Sequence, residues 1–144
     1  MFVLNSQLVD ETLFIGEFPL CTALLMNNKL YPWVVLVPKL HDVTEIMDLE
    51  TQERITLMEE IALASKVMKN TYWPDKLNIA SLGNNVPQLH IHIIARFKTD
   101  DIWPEPVWGK GFKPYSEQGR QEALEVLRRE FSKMEGFQAV ANMP

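Results

Sequence analysis

What this chain has little of narrows its function first. It holds one cysteine, Cys21, so no internal disulfide can form and no cysteine-rich zinc site can be built. Histidine is scarce too: the chain has 3, namely His41, His90 and His92, and any imidazole chemistry is confined to them. Positive charge is in the minority. Against 19 Asp and Glu stand 14 Lys and Arg, a formal net charge of -5, which argues against binding nucleic acid through a basic surface. An anionic ligand would have to be held by local hydrogen-bond donors instead. No apolar run is long enough to cross a bilayer. The opening stretch "MFVLNSQLVDETLF" has no basic segment followed by an apolar run, so it does not read as a secretory signal. These absences lead us to expect a cytoplasmic protein with neither a membrane nor a nucleic-acid partner. Internal repeats and low-complexity linkers are also missing. The 144 residues, 47% hydrophobic and 23% charged, suit a single domain with a sizeable core.

The patterning then predicts elements. Leu4 to Val9 fits a short helix. "TLFIGEFPLCTALLMNN" reads as two strands punctuated by Gly16 and Pro19. "YPWVVLVPK" is apolar on both faces, as a central strand is, and Asn27 to Pro32 is the hairpin turn that precedes it. From Glu50 to Tyr72 the period changes to helical, with Ile55, Met58, Ile61, Ala62, Ser65, Met68 and Tyr72 as the expected apolar face. Asp48 is the expected cap and Pro74 the stop. "KLNIASL" and "QLHIHIIARFK" supply two more strands, and Ser116 to Met134 a final helix ended by Gly136. Strands, one long helix and further strands predict an α+β fold: an antiparallel sheet of about five strands backed by the long helix, with a C-terminal helix.

The stretch from Gln88 to Lys98 alternates strictly. Leu89, Ile91, Ile93, Ala95 and Phe97 belong on one face; Gln88, His90, His92, Arg96 and Lys98 belong on the other, with Ile94 the exception. Odd residues should pack on the helix and even ones face a cleft. Two imidazoles side by side on that face admit three readings. They could be satisfied surface side chains; Arg96 and Lys98 at the strand end could draw in polyphosphate, with solvated surface charge the commoner explanation. They could chelate a metal, but a third ligand is needed and neither His41 nor Asp42, Asp100 or Asp101 has a spacing that requires it. They could catalyse by nucleophilic attack, one ring attacking while its neighbour assists. Gly83, Asn84 and Asn85 just upstream would then turn amide donors toward an anion.

The run Gln88-Leu89-His90-Ile91-His92-Ile93-Ile94 resembles the signature of the histidine triad (HIT) family, in which three histidines alternate with apolar residues. The likeness extends through "LLMNN", "YPWVVLVPKLHDVTEIMDL" and "LNIASLGNNVPQLHIHIIAR", over about residues 10–108, with 109–144 as a C-terminal loop and helix of the same domain. The resemblance implies a nucleotide hydrolase or nucleotidyl transferase. His90 would attack an α-phosphate to form a covalent nucleotide intermediate, and His92 would contact the phosphate and help the leaving group. It further implies that Asn84, Asn85 and Asn78 lie close to the phosphate, and that Asn27, with Asn28 as competitor, meets the ribose. It implies a homodimer, no required cofactor, and magnesium only as a companion of a polyphosphate substrate. Gln88 departs from the pattern by standing where the first histidine belongs; the resemblance to a bacterial-type branch, with "WPEPVWG" after the triad, implies that it is tolerated there, and Gln88 joins the expected nucleotide- and phosphate-binding residues. The rival expectations are a nucleotide-binding protein with little turnover and a metal-dependent hydrolase built on the His-X-His pair.

Overall fold

Six strands form one antiparallel sheet in the computed structural model, which describes residues 1–139. A short helix α1 (Ser6–Glu11) leads into β1 (Thr12–Glu17), β2 (Cys21–Met26) and β3 (Trp33–Pro38). A single 3₁₀ turn at Ile46–Asp48 precedes the long helix α2 (Thr51–Tyr72). Then come β4 (Lys76–Ala80), β5 (Ile91–Arg96), helix α3 (Glu117–Phe131) and β6 (Gln138–Ala139). The strand order is β4-β5-β3-β2-β1-β6. The expected architecture is therefore present, with one strand more than anticipated. The addition is the two-residue β6, which pairs with Gly16 and Glu17. Gly16 permits that approach, because a Cβ there would stand 2.3 Å from the Gln138 carbonyl oxygen. Among the described residues no helix is long and apolar enough to cross a membrane.

Helices α2 and α3 pack together on one face of the sheet, α2 against β5 and α3 against β1. There they enclose the larger core cluster, which includes Val34, Leu36, Ile91, Ile93 and Ala95 with Ala64, Val67 and Met68 of α2. Each Val, Leu, Ile or Met side chain removed from water here contributes about 1.5–3 kcal/mol. The odd residues of β5 thus meet the helix as the alternation predicts. The phase of α2 differs from the expectation. Its buried residues are Leu57, Glu60, Ile61, Ala64, Val67 and Met68, whereas Ile55 and Met58 are exposed. The reason is Glu60. A carboxylate on the inner stripe reads as a break in the apolar face, yet it accepts hydrogen bonds from the Leu20 and Cys21 amides at 2.9 and 2.8 Å. Those two amides end the β1–β2 connection, so the carboxylate replaces strand pairing that the turn lacks. Burial pushes the Glu60 carboxyl pKa up, opposed by these hydrogen bonds.

The cap is also displaced from the expected position. Glu50 is the N-cap of α2, and the Glu53 carboxylate accepts from its amide at 2.7 Å. Asp48 instead closes the 3₁₀ turn, accepting from the Thr44 and Glu45 amides. At the other end Trp73 adopts a left-handed conformation and Pro74 follows, a sharp helix stop. Helix α3 starts one residue later than expected, with Ser116 as its cap, and ends three residues earlier, at Phe131.

The opposite face of the sheet is covered without a long helix. A second cluster lies there: Phe14, Leu24, Met26, Trp33, Val35 and Ile94, covered by Leu8, Val86 and Val107 from flanking segments. Ile94 breaks the polar alternation because it belongs to this cluster.

Candidate active site

The histidines are positioned by strand register. His92 pairs with Val35 of β3 and with Ala80 of β4, in the interior of the sheet. His90 is the last residue before β5, at the end of a loop that runs from Ser81. Gly83 lets this loop fold tightly, since a Cβ there would lie 2.6 Å from the Val86 carbonyl oxygen. The two rings meet edge to face with centroids 4.8 Å apart, and each residue is only 4% exposed.

Hydrogen bonding fixes a different proton arrangement on each ring. The Trp33 indole N–H, which can only donate, points to His92 Nδ1 at 3.0 Å. Nδ1 is therefore an acceptor, and the proton of neutral His92 sits on Nε2, facing the Leu82 carbonyl at 3.3 Å. Burial, together with the neighbouring His90, lowers the His92 pKa to about 4. His92 is neutral at physiological pH. His90 carries the opposite tautomer. Its Nδ1 lies 2.7 Å from the Gln88 carbonyl, which can only accept, so Nδ1 holds the proton and Nε2 keeps its lone pair. Among the described residues Nε2 makes no hydrogen bond, and the one sealed side-chain polar atom without a partner is Thr71 Oγ1. His90 Nε2 is accordingly open to the adjoining cavities.

Two cavities meet at His90. One, of about 180 Å³, is mainly apolar and is walled by Leu8, Met26, Trp33, Val86 and Trp108 as well as both histidines. The other, of about 420 Å³, is mainly polar and is lined by Thr44, Ser81, Asn84 and Gln88 among others. Neither has a Lys or Arg in its lining. The arrangement sets a lone-pair nitrogen between a slot fit for a flat apolar group and a space fit for a polar one.

The other sequence candidates separate into two groups. Asn85 lines the apolar cavity and Asn84 the polar one. Gln88 borders the polar cavity, but its amide is engaged by the N-terminal segment: Oε1 accepts from the Asn5 amide at 2.8 Å and Nε2 donates to the Val3 carbonyl at 2.9 Å. Asn27 and Asn78 line neither cavity. Asn27 Oδ1 accepts from the Tyr115 amide at 3.0 Å. Its competitor Asn28 is buried and accepts from the Leu30 and Lys113 amides. Asn78 Oδ1 accepts from Arg96 at 3.0 Å.

Arg96 corrects the reading of a solvated strand-end charge. It is 1% exposed, bonded to both carboxylate oxygens of Asp100 at 2.9 and 3.1 Å, and lies 5.6 Å from the Tyr31 ring and 5.7 Å from the Trp103 ring. Hydrogen bonds from Arg96 hold the Asp100 carboxyl pKa below its usual value. The pair clamps the start of the loop that carries Trp108 over His92. Trp108 is thus a wall of the site and Trp103 an anchor of its loop. Cys21 is buried, as an apolar strand position implies.

Sequence reasoning missed Trp33, Met26 and the α1 residues Gln7, Leu8 and Glu11, all of which line the apolar cavity. Trp33 alone carried a usable signal, as an indole that begins an otherwise aliphatic strand. No group of three or more His, Cys, Asp or Glu side chains able to hold a metal ion occurs among the described residues.

A model of the HIT domain matches residues 7–99. This chain belongs to the HIT family. Solved HIT relatives share its structure along nearly their whole length. A histidine triad protein from Bradyrhizobium japonicum is 43% identical, with a TM-score of 0.87 over 90% of this chain and 98% of that one. One from Marinobacter aquaeolei is 40% identical, with a TM-score of 0.89 over 92% and 98%. One from Sinorhizobium meliloti is 35% identical, with a TM-score of 0.87 over 90% and 97%. No curated protein matches the chain. Within the HIT alignment fall both histidines and the loop before them, while Trp108 lies beyond it.

Proposed function

We propose that this HIT protein hydrolyses or transfers a nucleotidyl group through a covalent intermediate on His90. The observation that carries the reading is the tautomer pair: Nδ1 of His90 is bound to the Gln88 carbonyl, which directs the lone pair of Nε2 toward the cavities. Attack by Nε2 on an α-phosphorus forms a P–N bond and breaks the bond from phosphorus to the leaving group. Water then attacks the same phosphorus, releases the nucleotide and restores His90; another acceptor in place of water gives transfer. The apolar cavity, with Trp33 and Trp108 at right angles about His92, suits the base and sugar. Asn84 and Asn85, on the loop before His90, are the donors we assign to the phosphate.

His92 contributes as a neutral hydrogen-bond donor. Its Nε2–H has a long bond to Leu82 and can transfer it to a phosphoryl oxygen as charge develops. With a pKa of about 4 it does not hold a second proton at neutral pH. An anhydride leaving group departs as an anion and needs none. An amine leaving group must bring its proton on the bridging nitrogen or take it from water. With no Lys or Arg lining either cavity, a polyphosphate would carry its own magnesium, and no resident cofactor is invoked. The roles of Asn27 at the ribose and of Asn78 near the phosphate belong to the same proposal and need their present backbone and Arg96 partners to yield.

The assignment of Gln88 to a bacterial-type branch of the family belongs to the same proposal and rests on the sequence resemblance alone. We extend the proposal to a cytoplasmic homodimer; sedimentation of the purified chain tests the dimer. The test of function is a hydrolysis screen over dinucleoside polyphosphates, nucleoside phosphoramidates and nucleotide sugars, run on wild type and His90→Ala. Release of a nucleoside monophosphate by wild type alone supports the reading; equal rates in both proteins contradict it.

A further inference from the structure

The Gln88 side chain makes a contact that the chemistry above does not use. Its amide oxygen and nitrogen meet the Asn5 amide and the Val3 carbonyl together. In extended chain, the carbonyl of one residue and the N–H two residues later point the same way. The Gln88 amide therefore binds this segment as a neighbouring strand would, with one donor and one acceptor. A hydroxyl is too short to span both, and a carboxylate at neutral pH has no proton for Val3.

What the contact holds is a wall of the site. Asn5 is the N-cap of α1, its Oδ1 accepting from the Gln7 amide at 2.9 Å. Helix α1 presents Gln7, Leu8 and Glu11 to the apolar cavity. With six residues it is too short to hold helical form alone. Its placement depends on tethers at both ends. At its C-terminal end the Asn27 amide donates to the Glu11 carbonyl at 2.9 Å. At its N-terminal end Phe2 and Leu4 pack on the second core cluster, and Gln88 supplies the two long-range hydrogen bonds. The carbonyl of the same Gln88 receives the His90 Nδ1–H.

We infer that Gln88 is a positioning residue whose side-chain amide latches the N-terminal segment, so that α1 closes the cavity beside His90 against a nucleoside. This rests on the nucleotide reading of that cavity. Residue 88 thereby exchanges a place in a polar triad for the assembly of a binding wall.

The test uses the full chain, two variants and four nucleoside 5′-monophosphates as probes. Gln88→Ala removes the latch; Gln88→Met removes both hydrogen bonds but keeps length and volume. Affinity is read by calorimetry, and the latch itself by hydrogen exchange at the Asn5 amide without ligand. Losing two hydrogen bonds of ordinary strength predicts binding weaker by about tenfold in both variants, with faster Asn5 exchange. With a substrate found in the hydrolysis screen, KM should rise more than kcat falls. Wild-type affinity in Gln88→Met would overturn the proposal, because packing and not the latch would then be acting. Unchanged Asn5 exchange in Gln88→Ala would overturn it as well. If wild type binds none of the four probes, the nucleotide reading fails and takes this proposal with it. If wild type binds and both variants match it, the latch alone fails.

Discussion

Acidification should destabilise this protein through His92 before it does so through most carboxylates. In the folded chain the His92 pKa is lowered to about 4, with burial the largest cause and His90 the next. In the unfolded chain the ordinary value of about 6.5 applies. Below that value the unfolded state takes up a proton that the native state refuses, so stability falls as pH falls. The full interval, at about 1.4 kcal/mol per pH unit, amounts to about 3 kcal/mol, complete near pH 4. Between pH 6.5 and pH 5 the loss is about 2 kcal/mol, and carboxylates of ordinary pKa contribute little there. Glu60 acts in the opposite sense, since its raised pKa adds stability as it protonates. Comparison with His92→Gln removes that background, because the amide cannot titrate. The assay is urea unfolding of both proteins at pH 7.5, 6.0 and 5.0, with the His92 ring protons followed by NMR. Wild type should lose about 2 kcal/mol more than His92→Gln over this range. A His92 titration near 6.5, or the same pH slope in both proteins, would refute the assignment of a buried, neutral His92.

Other perturbations discriminate parts of the account. Arg96→Met leaves the Asp100 carboxylate without its bidentate partner in a poorly solvated place, so chemical denaturation should show a loss of about 3–5 kcal/mol; a loss below 1 kcal/mol would return Arg96 to the class of surface charges. Asn27→Ala removes the acceptor of the Tyr115 amide and should lower stability by about 1 kcal/mol. The same variant measured with ribo- and deoxyribonucleotide substrates tests the proposed ribose contact, which requires the wild-type preference for ribose to vanish.

The parts of the fold that sequence made legible are those in which a face is uniform. The β5 alternation placed Leu89, Ile91, Ile93 and Ala95 against α2 and the histidines opposite because every odd residue is apolar and pays no polar exception. Helix α2 was legible in its extent but not in its phase. One buried carboxylate, Glu60, disguised the true inner stripe, and its justification is two backbone amides from Leu20 and Cys21, distant in sequence. Arg96 escaped for a related reason. Its partners Asp100, Asn78, Tyr31 and Trp103 converge only once the loop after β5 has folded back. The adjacent placing of His90 and His92 was readable from spacing, whereas the cavity around them was not. Its walls come from α1, β2, β3 and the Trp108 loop, and nothing local in Leu8 or Met26 distinguishes a wall residue from a core one. The two-residue β6 has too little length for any periodic signal.

The covalent intermediate is the central claim, and the most direct measurement is the mass of the intact protein during turnover. Wild type mixed rapidly with a substrate from the hydrolysis screen and quenched in denaturant, at a pH where phosphoramidates survive, should gain the mass of one nucleoside monophosphate less water. Peptide mapping should place that mass on His90, and His90→Ala should show none. An adduct on another residue, or wild-type turnover at full rate in His90→Ala, would contradict the account.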